Sequence, residues 1–504
     1  MNDEDRAAAA DLIRRTMRRD RLPGVSVAVV DRDGVRYAEG FGARDLAGNR
    51  PATPATLYGV GSVTKSVTAL ATAQLAEAGM LDFEDPVSDH LDVDLGSDPE
   101  DPIRLRHLLS HASGLPSLAT SEALIGRRLR RDTDTLPLST PADFRAHVEG
   151  AVGSAGGGSA GGSTTAGDER VGAPGERFAY SNEGYVLLGD VIEACTGRPY
   201  DRYVAEHVLD PLGLDRATFD DTAFAMDDDH ATMYLREDRG PGSGPARDGG
   251  DVGGRDDLAA ASVPVRELSR PAGGLFTSVE GLGRYARLML NDGRIDGREV
   301  VSPESVATLV EDRVDTPGGP YGFGWRTRES CGRELVGHSG SIAVSTAYVG
   351  FSPEAGLGVA VAANAAPGYP LVRLGEGVFA CALGEEPAAA VPFFERRRRF
   401  DRLTGEYASY RGVKRAVVVR DGGGLRVELA GPLGGESLPL TDAPGDDPFA
   451  FLTPNEAGER VPVEFRVGDG GGDDGAGADA DRGVDLLYDR WHLHKVADDP
   501  GKLP

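Results

Sequence analysis

Gly61-Ser62-Val63-Thr64-Lys65-Ser66-Val67-Thr68 is the stretch on which the reading of this chain turns. Beyond it, Val67, Leu70, Ala71, Gln74, Leu75 and Ala78 recur at helical spacing and Gly79 supplies a C-cap, so a helix is predicted over residues 64–79. Ser62 opens that helix and Lys65 follows one turn later, so the two side chains share a face. A helix start offers unpaired N–H groups and a positive potential, and both favour an anion near Ser62. A serine hydroxyl attacks poorly until something takes its proton. A buried lysine can go neutral and take it, whereas an arginine stays protonated. The chain has only four lysines, Lys65, Lys414, Lys495 and Lys502, and uses arginine for its other cations. A lysine beside Val63, Val67, Thr68 and Ala69 therefore needs a reason, and a snorkelling surface lysine fits that neighbourhood poorly.

Two further motifs follow in order. Tyr180-Ser181-Asn182 precedes an apolar helix expected over 185–195. Tyr180 could relay a proton between Ser62 and a leaving group, and Asn182 could hold a substrate amide and Lys65 together. Taken alone, this motif reads as a helix cap beside a core tyrosine. His338-Ser339-Gly340 precedes a strand expected over 342–351. Gly340 would let a substrate backbone lie close to a strand edge, and His338 would place a partly cationic group beside it. The backbone N–H groups of Ser341 and Ser62 would then form an oxyanion hole. Chance supplies all three motifs in this order in about one chain in a thousand.

These motifs resemble the S-x-x-K, Y-x-N and K-T-G elements of class C β-lactamases and their penicillin-binding and esterase relatives. Tyr58 to Met80, Leu81 to Val87, Ile103 to Pro116 and Pro271-Ala272-Gly273-Gly274-Leu275 are similar to blocks of that family. The resemblance implies an acyl-enzyme mechanism. Ser62, Lys65 and Tyr180 would be catalytic, and Asn182, His338, Ser339, Gly340 and Ser341 would bind substrate or its oxyanion. Which of Lys65 and Tyr180 is the base stays open. His338 stands where β-lactamases carry Lys, which shifts the expected substrate toward small esters or short peptides. β-Lactamase or D-alanyl carboxypeptidase activity is the alternative, and a ligand-binding protein without turnover is another. No cofactor is implied.

The expected fold is α/β (α+β): an antiparallel sheet flanked by helices, with a helical subdomain and a C-terminal all-β small barrel. The hydrolase domain is expected over 1–385, a linker over 386–400 and a β-rich domain, similar to a lipocalin, over 401–504. Six strands are read in that last part: 405–410, 415–420, 425–429, 449–453, 462–467 and 484–496. The Gly-rich stretches 150–168, 239–257 and 468–483 read as loops. Arg396 to Arg399 would either dock on the first domain or stay solvated. His107 and His111 read as structural. His492 and His494 face one side of a strand but have no carboxylate beside them in sequence, so no metal site is expected.

Length fits two or three domains, and 40% apolar residues fit a globular chain. No apolar run approaches the roughly 18–20 residues of a membrane span. The acidic N-terminus lacks an apolar signal segment, so a cytoplasmic location is expected and no membrane partner. Three widely spaced cysteines offer no disulfide framework. A net charge of −27 argues against nucleic acid as a partner. A small-molecule ester or peptide is the expected partner, and a homo-oligomer is left open. The same acidic surface suits a salt-rich cytosol. Thermal denaturation in low and in molar salt checks this: the melting temperature rises with salt, and full stability and activity at low salt would contradict the halophile reading.

Overall fold

The computed structural model describes residues 1–129, 140–152, 169–236, 258–263, 267–367, 369–431, 434–468 and 483–498. Residues 153–168, 239–257 and 469–482, read as loops, lie outside the described residues. The chain divides into two compact units, with Pro392 opening the second. Among the described residues, no helix is long and apolar enough to cross a membrane.

The first unit is built on a seven-stranded antiparallel sheet. Its strands are β1 (Gly24–Asp31), β2 (Val35–Asp45), β3 (Arg50–Pro51), β4 (Arg326–Ser330), β5 (Arg333–Ser341), β6 (Thr346–Ser352) and β7 (Leu357–Ala363). They run across the sheet in the order β4-β5-β6-β7-β1-β2-β3. The terminal helix α1 (Asp3–Asp20) is closed by a capping box between Asn2 and Asp5. The other helices used here are α2 (Thr64–Glu77), α3 (Asn182–Thr196), α4 (Val279–Leu290) and α5 (Val372–Ala382).

Gly24 to Val30 is buried throughout, not on alternate residues, because both faces of the sheet are covered. Ala28 and Val30 face α4, where a side chain on Gly283 would touch them. Tyr348, on the opposite face, packs against α5 so closely that a Cβ on Gly375 would lie 2.2 Å from its ring. The main core fills the space between the α4 face and α2 and α3, with Leu70, Leu75, Leu187, Leu188, Val349 and Ala360 buried in it. The expected sheet-and-helix architecture is what the structure has. One strand boundary differs from the expectation: the strand expected over 342–351 begins at Thr346, and β5 carries the whole His338-Ser339-Gly340 motif.

The second unit is a closed barrel of eight strands. They are β8 (Gly405–Ala408), β9 (Arg415–Asp421), β10 (Gly424–Gly431), β11 (Gly434–Asp442), β12 (Ala450–Pro454), β13 (Arg460–Val467), β14 (Val484–Tyr488) and β15 (Trp491–Ala497). Pairing of β8 with β15 closes it. Two of these were not expected as separate strands. Gly434, Gly435 and Pro439 hide β11, although Leu438 and Leu440 alternate into the core. The stretch 484–496 folds back on itself at Asp489, where φ is +51.

The stretch 386–400, expected as a linker, contributes most of a helix, α6 (Pro392–Leu403). Phe394, Phe400 and Leu403 give it a buried face, and Phe400 and Leu403 join the barrel core. Two of its arginines, Arg396 and Arg399, each donate to Asp442 of the barrel at 2.9 Å. Val418, Val427, Leu486 and Leu493 fill the barrel interior at 0% exposure. Leu486→Ala is expected to destabilise the barrel by about 2–5 kcal/mol, measured by denaturant unfolding.

Candidate active site

Ser62 sits in the 3₁₀ turn Gly61–Val63 that leads into α2. Gly61 has φ +54, in the region that favours glycine, and this turns the chain into the helix. The end of β5 runs directly against that turn. A Cβ on Gly340 would lie 2.5 Å from the Ser62 nitrogen, and one on Gly61 would lie 2.6 Å from the Ser341 nitrogen. Only glycines permit this approach, and it sets the backbone of the Ser62 turn directly against the end of β5.

Lys65 is fully buried on α2. Its Nζ donates to Ser62 Oγ at 3.2 Å, to Asn182 Oδ1 at 2.7 Å and to the Ala272 carbonyl at 2.7 Å. The Tyr180 and Tyr185 rings lie 5.0 Å and 5.5 Å from Nζ. Burial pulls Lys65 down to about 7, against the opposing pull of Glu183 and Glu122. Tyr180 goes the other way. Burial raises its phenol above the ordinary value, although a hydrogen bond with Ser62 and the Arg326 charge oppose the shift.

Asn182 is the first residue of α3, and Ser181 caps that helix by accepting from the Gly184 N–H at 3.2 Å. The helix cap at Ser181 and the Lys65 contact at Asn182 thus fall on neighbouring residues. Glu183 is buried beneath them, accepting from the Ser181 hydroxyl at 3.1 Å and the Thr120 N–H at 3.2 Å. His111 accepts from the Ser181 N–H at 3.1 Å, and its ring centroid lies 4.2 Å from that of Tyr180. It is structural, as expected, but it is the support on which the second motif rests. His107 accepts from the Arg104 N–H at 3.1 Å at a helix start.

His338 differs from the expectation of a partly cationic group. It is 6% exposed, and burial, followed by the Lys65 charge, pulls it down to about 3. Its Nδ1 bonds the Ser339 carbonyl at 2.7 Å and therefore carries the proton. Its Nε2 accepts from the Tyr321 hydroxyl at 2.9 Å. Both ring nitrogens are thus engaged and the imidazole is neutral.

A cavity of about 530 Å³ opens beside Ser62, lined by Tyr180, His338, Ser339, Gly340 and Ser341 among others. Two cations that the sequence did not single out, Arg326 and Arg328, also line it. Arg326 lies over the Phe178 and Tyr321 rings at 5.3 Å and 5.4 Å. The Arg328 side chain makes no hydrogen bond or ion pair among the described residues. The alternation of β4, with Thr327 buried between them, turns both arginines to one side, which was the available signal.

The antiparallel sheet with its flanking helices, and a serine held against a buried amine beside the end of β5, are those of the beta-lactamase/transpeptidase-fold family of serine hydrolases. Residues 9–376 match the Beta-lactamase family, and the chain belongs to that family. Residues 387–494 match the Pab87 octamerisation domain. An octameric penicillin-binding protein homologue from Pyrococcus abyssi is similar over 97% of this chain and 99% of its own, at 31% identity and a TM-score of 0.80. A D-stereospecific amidohydrolase from Streptomyces sp. is similar over 71% of this chain and 94% of its own, at 25% identity and a TM-score of 0.55. Protein flp of Staphylococcus aureus (strain MW2) is 28% identical over 357 residues, 70% of this chain. The match spans 62% of that protein's length.

Lys65→Arg keeps the charge but cannot supply a neutral amine, so it is expected to remove most hydrolysis while leaving the fold intact. In the wild type the neutral fraction of Lys65 grows as pH rises through about 7, so kcat/KM rises over that window and levels above it. A pH profile of ester hydrolysis with circular dichroism of the variant checks both.

Proposed function

We propose that this protein is a serine hydrolase that acts through an acyl-enzyme on small esters or short peptides. The observation that carries the reading is the buried Lys65 Nζ, 3.2 Å from Ser62 Oγ and brought down to about 7. Lys65 is the base, because its amine can be neutral at working pH while the Tyr180 phenol stays protonated. Lys65 takes the Ser62 proton as Oγ attacks the substrate carbonyl carbon. The N–H groups of Ser62 and Ser341 hold the tetrahedral oxyanion. As the bond to the leaving group breaks, the Lys65 ammonium returns the proton to it through the Tyr180 hydroxyl. Water, deprotonated by the same amine, then attacks the acyl-enzyme, and the Lys65 ammonium returns that proton to Ser62 Oγ as the acid leaves. Asn182 holds Lys65 in place, and His338, Ser339 and Gly340 shape the strand edge along which substrate lies.

The likeness to a D-stereospecific amidohydrolase supports amide substrates alongside esters. Filled by its own side chains, the barrel gives little support to a reading in which it holds a small ligand. The octamerisation-domain match and the octameric homologue support assembly of this chain into a homo-oligomer, an octamer. Three free cysteines suit a reducing compartment such as the cytoplasm.

A second reading has its own observation. Arg328 lines the cavity without a partner among the described residues, so substrates bearing a carboxylate, the β-lactam and D-alanyl types included, regain support that His338 alone removes. The test is a panel of p-nitrophenyl esters, D- and L-aminoacyl p-nitroanilides and a chromogenic cephalosporin, each with Ser62→Ala as control. No labelling of Ser62 by a fluorophosphonate would contradict the hydrolase reading. If Arg328 receives a carboxylate, Arg328→Ala lowers kcat/KM about 10–100-fold for substrates that carry one and leaves neutral esters unchanged.

A further inference from the structure

His492 and His494 lie on β15 with Leu493 between them. Leu493 points into the barrel core at 0% exposure, so the two imidazoles stand together on the outer wall. Their ring centroids are 4.5 Å apart. No carboxylate stands beside them in sequence, but β14 pairs with β15 and sets Asp485 directly across from His494. The Asp485 carboxylate spans both rings. One oxygen meets His492 Nε2 at 2.9 Å and the other meets His494 Nδ1 at 2.8 Å. One ligand atom from each of the three residues lies within 4.8 Å of the other two.

We propose that Asp485, His492 and His494 form a binding site for a divalent transition metal ion of the zinc type. Two imidazole nitrogens and one carboxylate oxygen are a donor set that such an ion takes at about 2.0–2.2 Å. The three side chains come from the two strands of one hairpin, whose register fixes them before any ion arrives. On binding, the ion replaces the protons that each ring now shares with Asp485. Each imidazole then carries a proton on its other nitrogen alone, and any further proton passes to solvent. Three protein ligands leave the remaining coordination position to water on the solvent side, since both rings are more than half exposed. Arg466 lies across from Asp485 on β13, and its guanidinium is held by Glu464 at 2.8 Å, so it is occupied by a partner of its own. All three residues belong to the barrel unit.

The test is calorimetric titration of zinc chloride into the full chain after chelator treatment, in a buffer that does not bind metal. Cobalt chloride serves as a spectroscopic probe of the same site. The wild type is expected to take one zinc ion here and to show cobalt d–d absorption with nitrogen ligation. His494→Gln and Asp485→Asn should each weaken zinc binding by at least about tenfold, because an inner ligand is worth no less than the outer partners of such sites. Both changes are at the surface, and unaltered melting curves without metal would show that the barrel stays folded. Zinc should also raise the melting temperature of the wild type and not of either variant. Absence of zinc binding in the wild type, or binding that survives in both variants, would overturn the proposal.

Discussion

The site depends on one buried cation. Lys65 Nζ has no solvent, so its three donated bonds must all find oxygen inside the protein, and they do so in Ser62, Asn182 and Ala272. Each acceptor belongs to a different segment: the turn before α2, the first residue of α3, and the short helix at 270–273. Satisfying one amine therefore ties these segments together around the serine. The same desolvation that makes the amine demand partners also lowers its affinity for a proton. Structure and reactivity come from a single physical cause.

Around that cation the fold keeps the neighbouring imidazoles uncharged. His338 and His111, the imidazoles nearest the site, are both held neutral by burial, with the Lys65 charge adding to the effect. His338 is tied at both nitrogens, so it fixes the strand edge and the Tyr321 hydroxyl. The positive charge on the cavity wall is that of Arg326 and Arg328. A cation placed there can meet an anionic substrate group without sharing the desolvated pocket of Lys65.

What the sequence made legible was whatever is local. The Ser62–Lys65 relation follows from helical period alone, and the Ser181 cap from its place before an apolar run. The antiparallel sheet and the β-rich second unit could be read from strand signals. Contacts that need strand pairing could not. Asp485 reaches the two histidines only through hairpin register, and Arg328 reaches the cavity only because β4 pairs with β5. The protonation of His338 depended on burial, which its motif does not encode. β11 was hidden by its glycines and proline, and α6 by its run of arginines, of which Arg396 and Arg399 pair with Asp442 of the barrel.

The claim that Lys65 is poised to be neutral can be measured directly, because the chain has so few lysines. With lysine isotopically labelled at Cε and Nζ, four side-chain signals are expected, and Lys65→Arg identifies one of them by its loss. A pH titration should move the Lys65 signal through a midpoint near 7, while an ordinary lysine holds its proton to about 10.4. A Lys65 signal that titrates with the ordinary lysines would contradict the account.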